Sequence, residues 1–174
     1  MTIKLQQQMK QVAIIVGLSG IVLISSCSTS RKSSTNQSNA MNMVARMEVK
    51  EPIEGVCDNA NVIAILPFPG NSQVSAKPPK TKEQISEELN TKVIFLKDKT
   101  DYGDKGMVHL IVNCKGDLVR CEIDNKTKSP ELDSQIVAVF AEMKQWTAGM
   151  VNNKSVDTSV LYSFTIKNGK ITVD

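Results

Sequence analysis

Met107–Asp124 reads MVHLIVNCKGDLVRCEID, two apolar-rich runs flanking a turn at Lys115-Gly116. Side chains alternate along a strand, so Val108, Leu110 and Val112 share one face of the first run. Val119, Cys121 and Ile123 share one face of the second. A hairpin must bring both apolar sets to the same side, because a slip of one residue turns one set to water. The register that does so pairs Cys114 with Asp117 across a two-residue turn, then Val112 with Val119, Leu110 with Cys121 and Val108 with Ile123. His109 then falls opposite Glu122 on the outer face, an ordinary cross-strand pair without a nucleophile or metal ligand.

Downstream of the hairpin, Ser129-Pro130-Glu131 is a helix start: an N-cap serine, a proline in the first turn and an acid at the positive helix end. Leu132, Ile136, Val139, Phe140, Met143 and Trp146 recur at steps of three and four, which predicts a four-turn amphipathic helix. Glu131, Asp133, Ser134, Gln135, Glu142, Lys144 and Gln145 form its wet side, and Gly149 lies where a left-handed residue terminates a helix. After a glycine-marked loop, Val160, Tyr162, Phe164 and Ile166 alternate with Leu161, Ser163, Thr165 and Lys167, a half-buried strand. Asn168-Gly169 is a type I′ turn that lets Ile171–Val173 fold back. Upstream, Val62–Leu66 is a buried strand ended by Pro67-Phe68-Pro69-Gly70. Lys77–Lys82 is a proline-punctuated connector, and Thr81 with Gln84 forms a capping box opening a helix to about Asn90. Met41, Met43 and Met47, with Val44 and Val49, read as a short packing segment. The fold class is α+β: a small antiparallel sheet of hairpin and C-terminal strand, with helices packed on one face.

The N-terminus sets the address. Lys4 and Lys10 precede Val12–Ile24, thirteen uncharged residues, which suits a secretory signal and falls short of the ~20 residues of a membrane-spanning helix. Ile24-Ser25-Ser26-Cys27 resembles the lipobox of bacterial lipoproteins, which implies cleavage before Cys27 and acylation of its sulfur. An uncleaved anchor extended by Ser25, Ser26 and Cys27 is the competing reading. Two or more acyl chains hold a protein on a bilayer without any spanning segment. Ser28–Asn39 has no aliphatic or aromatic side chain and reads as a flexible tether. Ser28 in place of an aspartate after the cysteine points to the outer membrane, facing the periplasm. Without residues 1–26 the chain carries 19 basic and 18 acidic residues, a balance that argues against nucleic acid as the partner. The organisation expected is a signal over 1–26, lipidated Cys27 and tether over 27–40, an N-terminal extension over 41–80 and the globular domain over 81–174.

Cys57, Cys114 and Cys121 remain beyond the anchor. An oxidising compartment with three cysteines implies one disulfide and one free thiol. In the hairpin register Cys121 points into the core, too far from Cys114 at the turn to bridge. Cys57–Cys114 is therefore the favoured bond, with Cys121 a buried thiol. Their spacing fits no zinc pattern.

In order, GMVHLIVNCKGDL, SPELDSQIVAVFAEMKQW and TAGMVNNKSV followed by LYSFTIKNG, about residues 104–168, resemble the C-terminal domain of TonB and its relatives. That family shows a Val-Asn-x-x-Gly turn, Pro-x-Leu-Asp leading a helix, then Trp-x-Pro-Gly and Asn-Gly-Lys-x-Val before a final strand. Ala148 stands for the proline and Asn153 for the glycine, and the cysteine of NCKGD is similar to that of TonB-like proteins of the Bacteroidetes. The resemblance implies a protein-binding module with no catalytic residue, cofactor or metal. Its partner-binding strand would be Val160, Leu161, Tyr162, Ser163, Phe164, Thr165 and Ile166, pairing with an extended peptide of an outer-membrane transporter or envelope complex subunit. Lys170–Val173 would cover one side of that strand. A lipid in place of TonB's spanning helix, and a tether reaching only about 20 Å, imply an adaptor or accessory subunit, not a self-sufficient energy transducer. A structural or inhibitory envelope lipoprotein on the same fold is the rival reading, and open strand edges permit strand-exchanged homodimers.

Overall fold

The computed structural model describes residues 44–65 and 73–174. The signal, Cys27 with its tether, Met41, Met43 and the Pro67-Phe68-Pro69-Gly70 turn lie outside the described residues.

The hairpin of β4 (Asp104–Val112) and β5 (Leu118–Asn125) forms as alternation requires. Leu110 pairs with Cys121, Val108 with Ile123 and His109 with Glu122. The turn end differs from expectation. Asn113 N–H bonds Asp117 O, and Val112 pairs with Leu118, not Val119. A bulge beside Ile111 and Val112 absorbs the extra residue, as bulges do when two residues oppose one. Leu118 therefore joins Cys121 and Ile123 on the helix side, while Val119 packs on the opposite face. The Asn113 carboxamide holds the turn by accepting Lys115 N–H and Asp117 N–H. Gly116 adopts φ +88°, and a Cβ there would lie 2.3 Å from Trp146 O.

β8 (Thr158–Lys167) runs antiparallel to the whole of β4, from Asp104↔Ile166 to Val112↔Thr158. β9 (Lys170–Val173) folds back on it through Asn168 and Gly169, both at positive φ. On the same side of β8, β2 (Ile63–Ile65) pairs in parallel, and β1 (Val44–Arg46) pairs antiparallel to β2. The sheet is thus mixed, in the order β1-β2-β8-β4-β5 with β9 beside β8. A second sheet orders β3 (Gln73–Val74), β6 (Gly149–Val151) and β7 (Lys154–Val156). β6 and β7 make a hairpin through Asn152 and Asn153, both at positive φ, inside the segment read as a loop. The expected extension, 41–80, is thus built into both sheets.

Helix α1 (Lys82–Lys92) starts at the Thr81–Gln84 capping box, which stabilises a helix by about 1 kcal/mol. α2 (Pro130–Ala141) starts at Ser129 but ends after three turns. Gln145 turns to φ +64°, and Met143 and Trp146 reach the core from irregular chain, the indole N–H donating to Met143 O. Gly149 sits in β6 and does not terminate the helix. Asp133 is buried, not wet: it accepts the amide and hydroxyl of Thr127. Both helices pack on one face of the large sheet, where Ile85, Leu89, Leu132, Ile136 and Phe140 meet Val108, Leu110, Phe164 and Ile166. Each such side chain contributes roughly 1.5–3 kcal/mol on burial. The fold is α+β.

Candidate functional site

β8 is flanked by strands on both sides, so only part of the strand expected as a docking edge is without a neighbour among the described residues. Tyr162, Phe164 and Ile166 are buried, Val160, Ser163 and Thr165 half-buried, and Leu161 is 55% exposed. β4 takes one side entirely. On the other side β2 covers Thr158–Ser159 and β9 covers Phe164–Lys167, leaving Val160–Tyr162 without a ladder partner among the described residues. The direction of the backbone groups follows from the bonds on either side of this gap. Ile63 N–H bonds Asp157 O, and Asp174 N–H bonds Ser163 O. Backbone groups alternate between sides along a strand, so Leu161 directs both its N–H and its C=O into the gap. The neighbouring amides of Val160 and Tyr162 face β4.

The outer edge of β9 is closed by a helix. Asn90 of α1 donates to Ile171 O and accepts Ile171 N–H, and Ser86 Oγ accepts Val173 N–H. The outer edge of β5 carries Arg120, Glu122 and Asp124 and the bulge, features that discourage strand addition.

β2 is held by a clamp. Cys57 and Cys114, the pair favoured from sequence, are joined with Cα atoms 6.0 Å apart. Beside them Asp157 is 2% exposed. Its Oδ1 accepts Cys57 N–H at 3.0 Å and Cys114 N–H at 2.9 Å, and its Oδ2 accepts Cys57 N–H at 3.0 Å and Asp58 N–H at 2.7 Å. Asn113 donates to Gly55 O at 2.9 Å. Ile53 and Val62 cover Ile111, with Met47, Val49, Val56 and Val119 around them. The two sulfurs and a carboxylate oxygen lie within 4.8 Å of one another, but the sulfurs are bonded to each other and the carboxylate oxygens are engaged, so this group does not offer a metal site.

A cleft of about 560 Å³ opens between the clamp and the second sheet, lined by Arg46, Asp58, Gln73, Val151 and Val156 among others. Its volume lies within the roughly 300–1,000 Å³ of small-molecule sites. The Gln73 carboxamide is buried in its wall with neither polar atom hydrogen-bonded.

His109 has more company than the sequence suggests. Its Nδ1 lies 3.2 Å from Glu122 Oε1, and its Nε2 lies 2.8 Å from Ser159 Oγ, with the ring side chain only 14% exposed. The order Glu–His–Ser is that of a hydrolytic triad. The serine, however, lies within a strand flanked by both β4 and β2. Backbone N–H groups there serve the ladders and are not aimed at a developing oxyanion. The trio acts as a polar row tying β5, β4 and β8. Cys121 is free and half-buried, its thiol pushed up to about 12 by burial and then by Glu122, so it is a poor nucleophile at neutral pH.

No helix among the described residues is long and apolar enough to cross a membrane. Compared with protein-family models, curated proteins and solved structures, the chain matches none.

Proposed function

We propose that the chain is an envelope lipoprotein held on the membrane through acylated Cys27, and that its globular domain is a non-enzymatic adaptor or accessory subunit of an envelope or outer-membrane transport complex. It captures an extended segment of a partner protein by strand pairing at β8, as the TonB-like order of its motifs implies. The observation that carries this reading is the gap at Val160–Tyr162, where, among the described residues, Leu161 has no ladder partner for the N–H and C=O it turns to that side, beside an exposed side chain. An extended peptide satisfies such groups with main-chain bonds, and pockets beside them supply specificity.

Leu161→Pro is the direct test. It removes the one amide that faces the gap, and proline is tolerated on the unpaired side of a strand, so the β4–β8 ladder stays intact. Partner capture, measured by crosslinking in intact cells followed by mass spectrometry, falls about tenfold, while Leu161→Thr, which keeps the amide, loses far less. Equal capture by wild type and Leu161→Pro would refute strand pairing at this position.

A further inference from the structure

A gap of three residues is shorter than an ordinary strand of about 5–6 residues. What limits it on one side is β2, attached to β8 by only two residue pairs, Ile63↔Thr158 and Ala64↔Ser159. If β2 leaves, Asp157 C=O and the Ser159 backbone groups join those of Leu161, and the open edge runs over residues 157–162. That length accepts a partner strand.

We propose that the Cys57–Cys114 disulfide is a site of thiol–disulfide exchange with a dithiol oxidoreductase, and that its reduction releases β2 and opens the β8 edge to an extended peptide. This rests on the strand-pairing reading for its purpose but not for its test. The disulfide is the covalent tie between the 44–65 segment and the hairpin turn, and it spans 57 residues of sequence. The other attachments are short: the Asp157 bonds, the Asn113–Gly55 bond, and a small apolar cluster whose buried members are Ile53, Val62 and Ile111. Cys57 is the more exposed residue of the pair and Cys114 is half-buried, so we place the attack at Cys57 Sγ.

The exchange runs in two steps. A thiolate of the oxidoreductase attacks Cys57 Sγ, the S–S bond breaks, and Cys114 departs as a thiolate that takes up a proton. The second thiolate of the oxidoreductase then attacks the mixed disulfide, Cys57 leaves and is protonated, and the oxidoreductase departs with its own disulfide. Two electrons and two protons have passed to the chain. Asp157 opposes the first step, because the departing Cys114 thiolate forms beside a carboxylate, and a poorly stabilised leaving group slows exchange. A monothiol therefore reduces the bond poorly, whereas a dithiol closes its own ring and completes the reaction.

Hydrogen exchange on the full chain, oxidised and after reduction by a phosphine, tests the opening. Amides in 61–65 and the Ser159 amide exchange about a hundredfold faster once the cross-link is gone, while Val160, whose amide faces β4, and Val108–Leu110 in the centre of β4 keep their protection. A labelled peptide copying residues 58–66 binds the reduced chain, and a Cys57→Ser, Cys114→Ser variant, at least tenfold more tightly than the oxidised chain. Unchanged exchange on reduction overturns the proposal, as does equal acceleration at Val108–Leu110, which would make the disulfide a global support. Local opening and peptide binding without any loss of partner capture in Leu161→Pro would uphold the gate and refute the partner reading alone.

Discussion

At the scale of single residues, Asp157 ties together three parts of the chain that lie far apart in sequence. Its carboxylate gathers the amides of Cys57, Asp58 and Cys114, and its own carbonyl accepts Ile63 N–H. A buried carboxylate without partners is costly, and partners left behind without the carboxylate are costly too. Asp157→Ala strands three amides around a small void and lowers stability by about 3 kcal/mol, read as a shift of the urea midpoint with the disulfide intact. A loss under ~1 kcal/mol would show that water replaces the carboxylate at little cost. Nothing in the local run Ser155-Val156-Asp157-Thr158 announces this role, because the bonded amides lie 43 to 100 residues away. Ser159 beside His109 was hidden for the same reason. Trp146 was legible as a core residue from its place at the end of the apolar spacing that begins at Leu132. The Cys57–Cys114 pair emerged from the hairpin geometry, which kept Cys121 on the α2 side with its thiol toward Val137 O.

At the scale of elements, strongly periodic segments were readable and their ends were not. The cores of β4, β5 and β8 stand where alternation put them, and both helices begin at their capping residues. The bulge that moves Val119 to the other face leaves no trace in alternation, because the pattern reads equally well with Val119 or Leu118 inward. α2 ends at Ala141, and beyond it the chain turns left-handed at Gln145 and still delivers Trp146 to the core. Apolar spacing alone cannot separate that from a fourth helical turn. Gly106 in β4 breaks the apolar alternation for a packing reason: a Cβ there would lie 2.4 Å from Phe164 Cζ. The most consequential element relation is α1 against β9. Asn90 and Ser86 stand in for a neighbouring strand, bonding Ile171 and Val173 along the edge. Asn90→Ala removes two of these bonds and lowers stability by about 1–2 kcal/mol. The Ile171 amide then exchanges faster, while Phe164 and Ile166, paired with β4, are unaffected. If Ile171 keeps its full protection, the helix side chains are not what closes this edge.

At the scale of the whole molecule, the sequence divides the chain by composition and the structure divides it by bonding, and the two divisions differ. The 44–65 segment reads as an extension because its apolar runs are short. It is nevertheless part of the main sheet, since β2 pairs in parallel with β8 and its cysteine is tied to the hairpin turn. Parallel pairing between strands nearly a hundred residues apart is set by tertiary closure, which local patterns do not encode. The gap at Leu161 lies within the sheets of the described residues, and Cys27 lies outside those residues. Attachment and capture should accordingly separate. Cys27→Ala removes the sulfur that would carry the acyl chains, each buried CH₂ of which contributes about 0.8 kcal/mol of membrane affinity. The variant loses lipid labelling and moves from the membrane to the soluble fraction, with an unchanged urea midpoint and unchanged partner capture in solution. Retained lipid labelling would remove the anchor from Cys27. Capture lost together with the lipid would mean that the partner reads the membrane-held tether as well as the strand at Leu161.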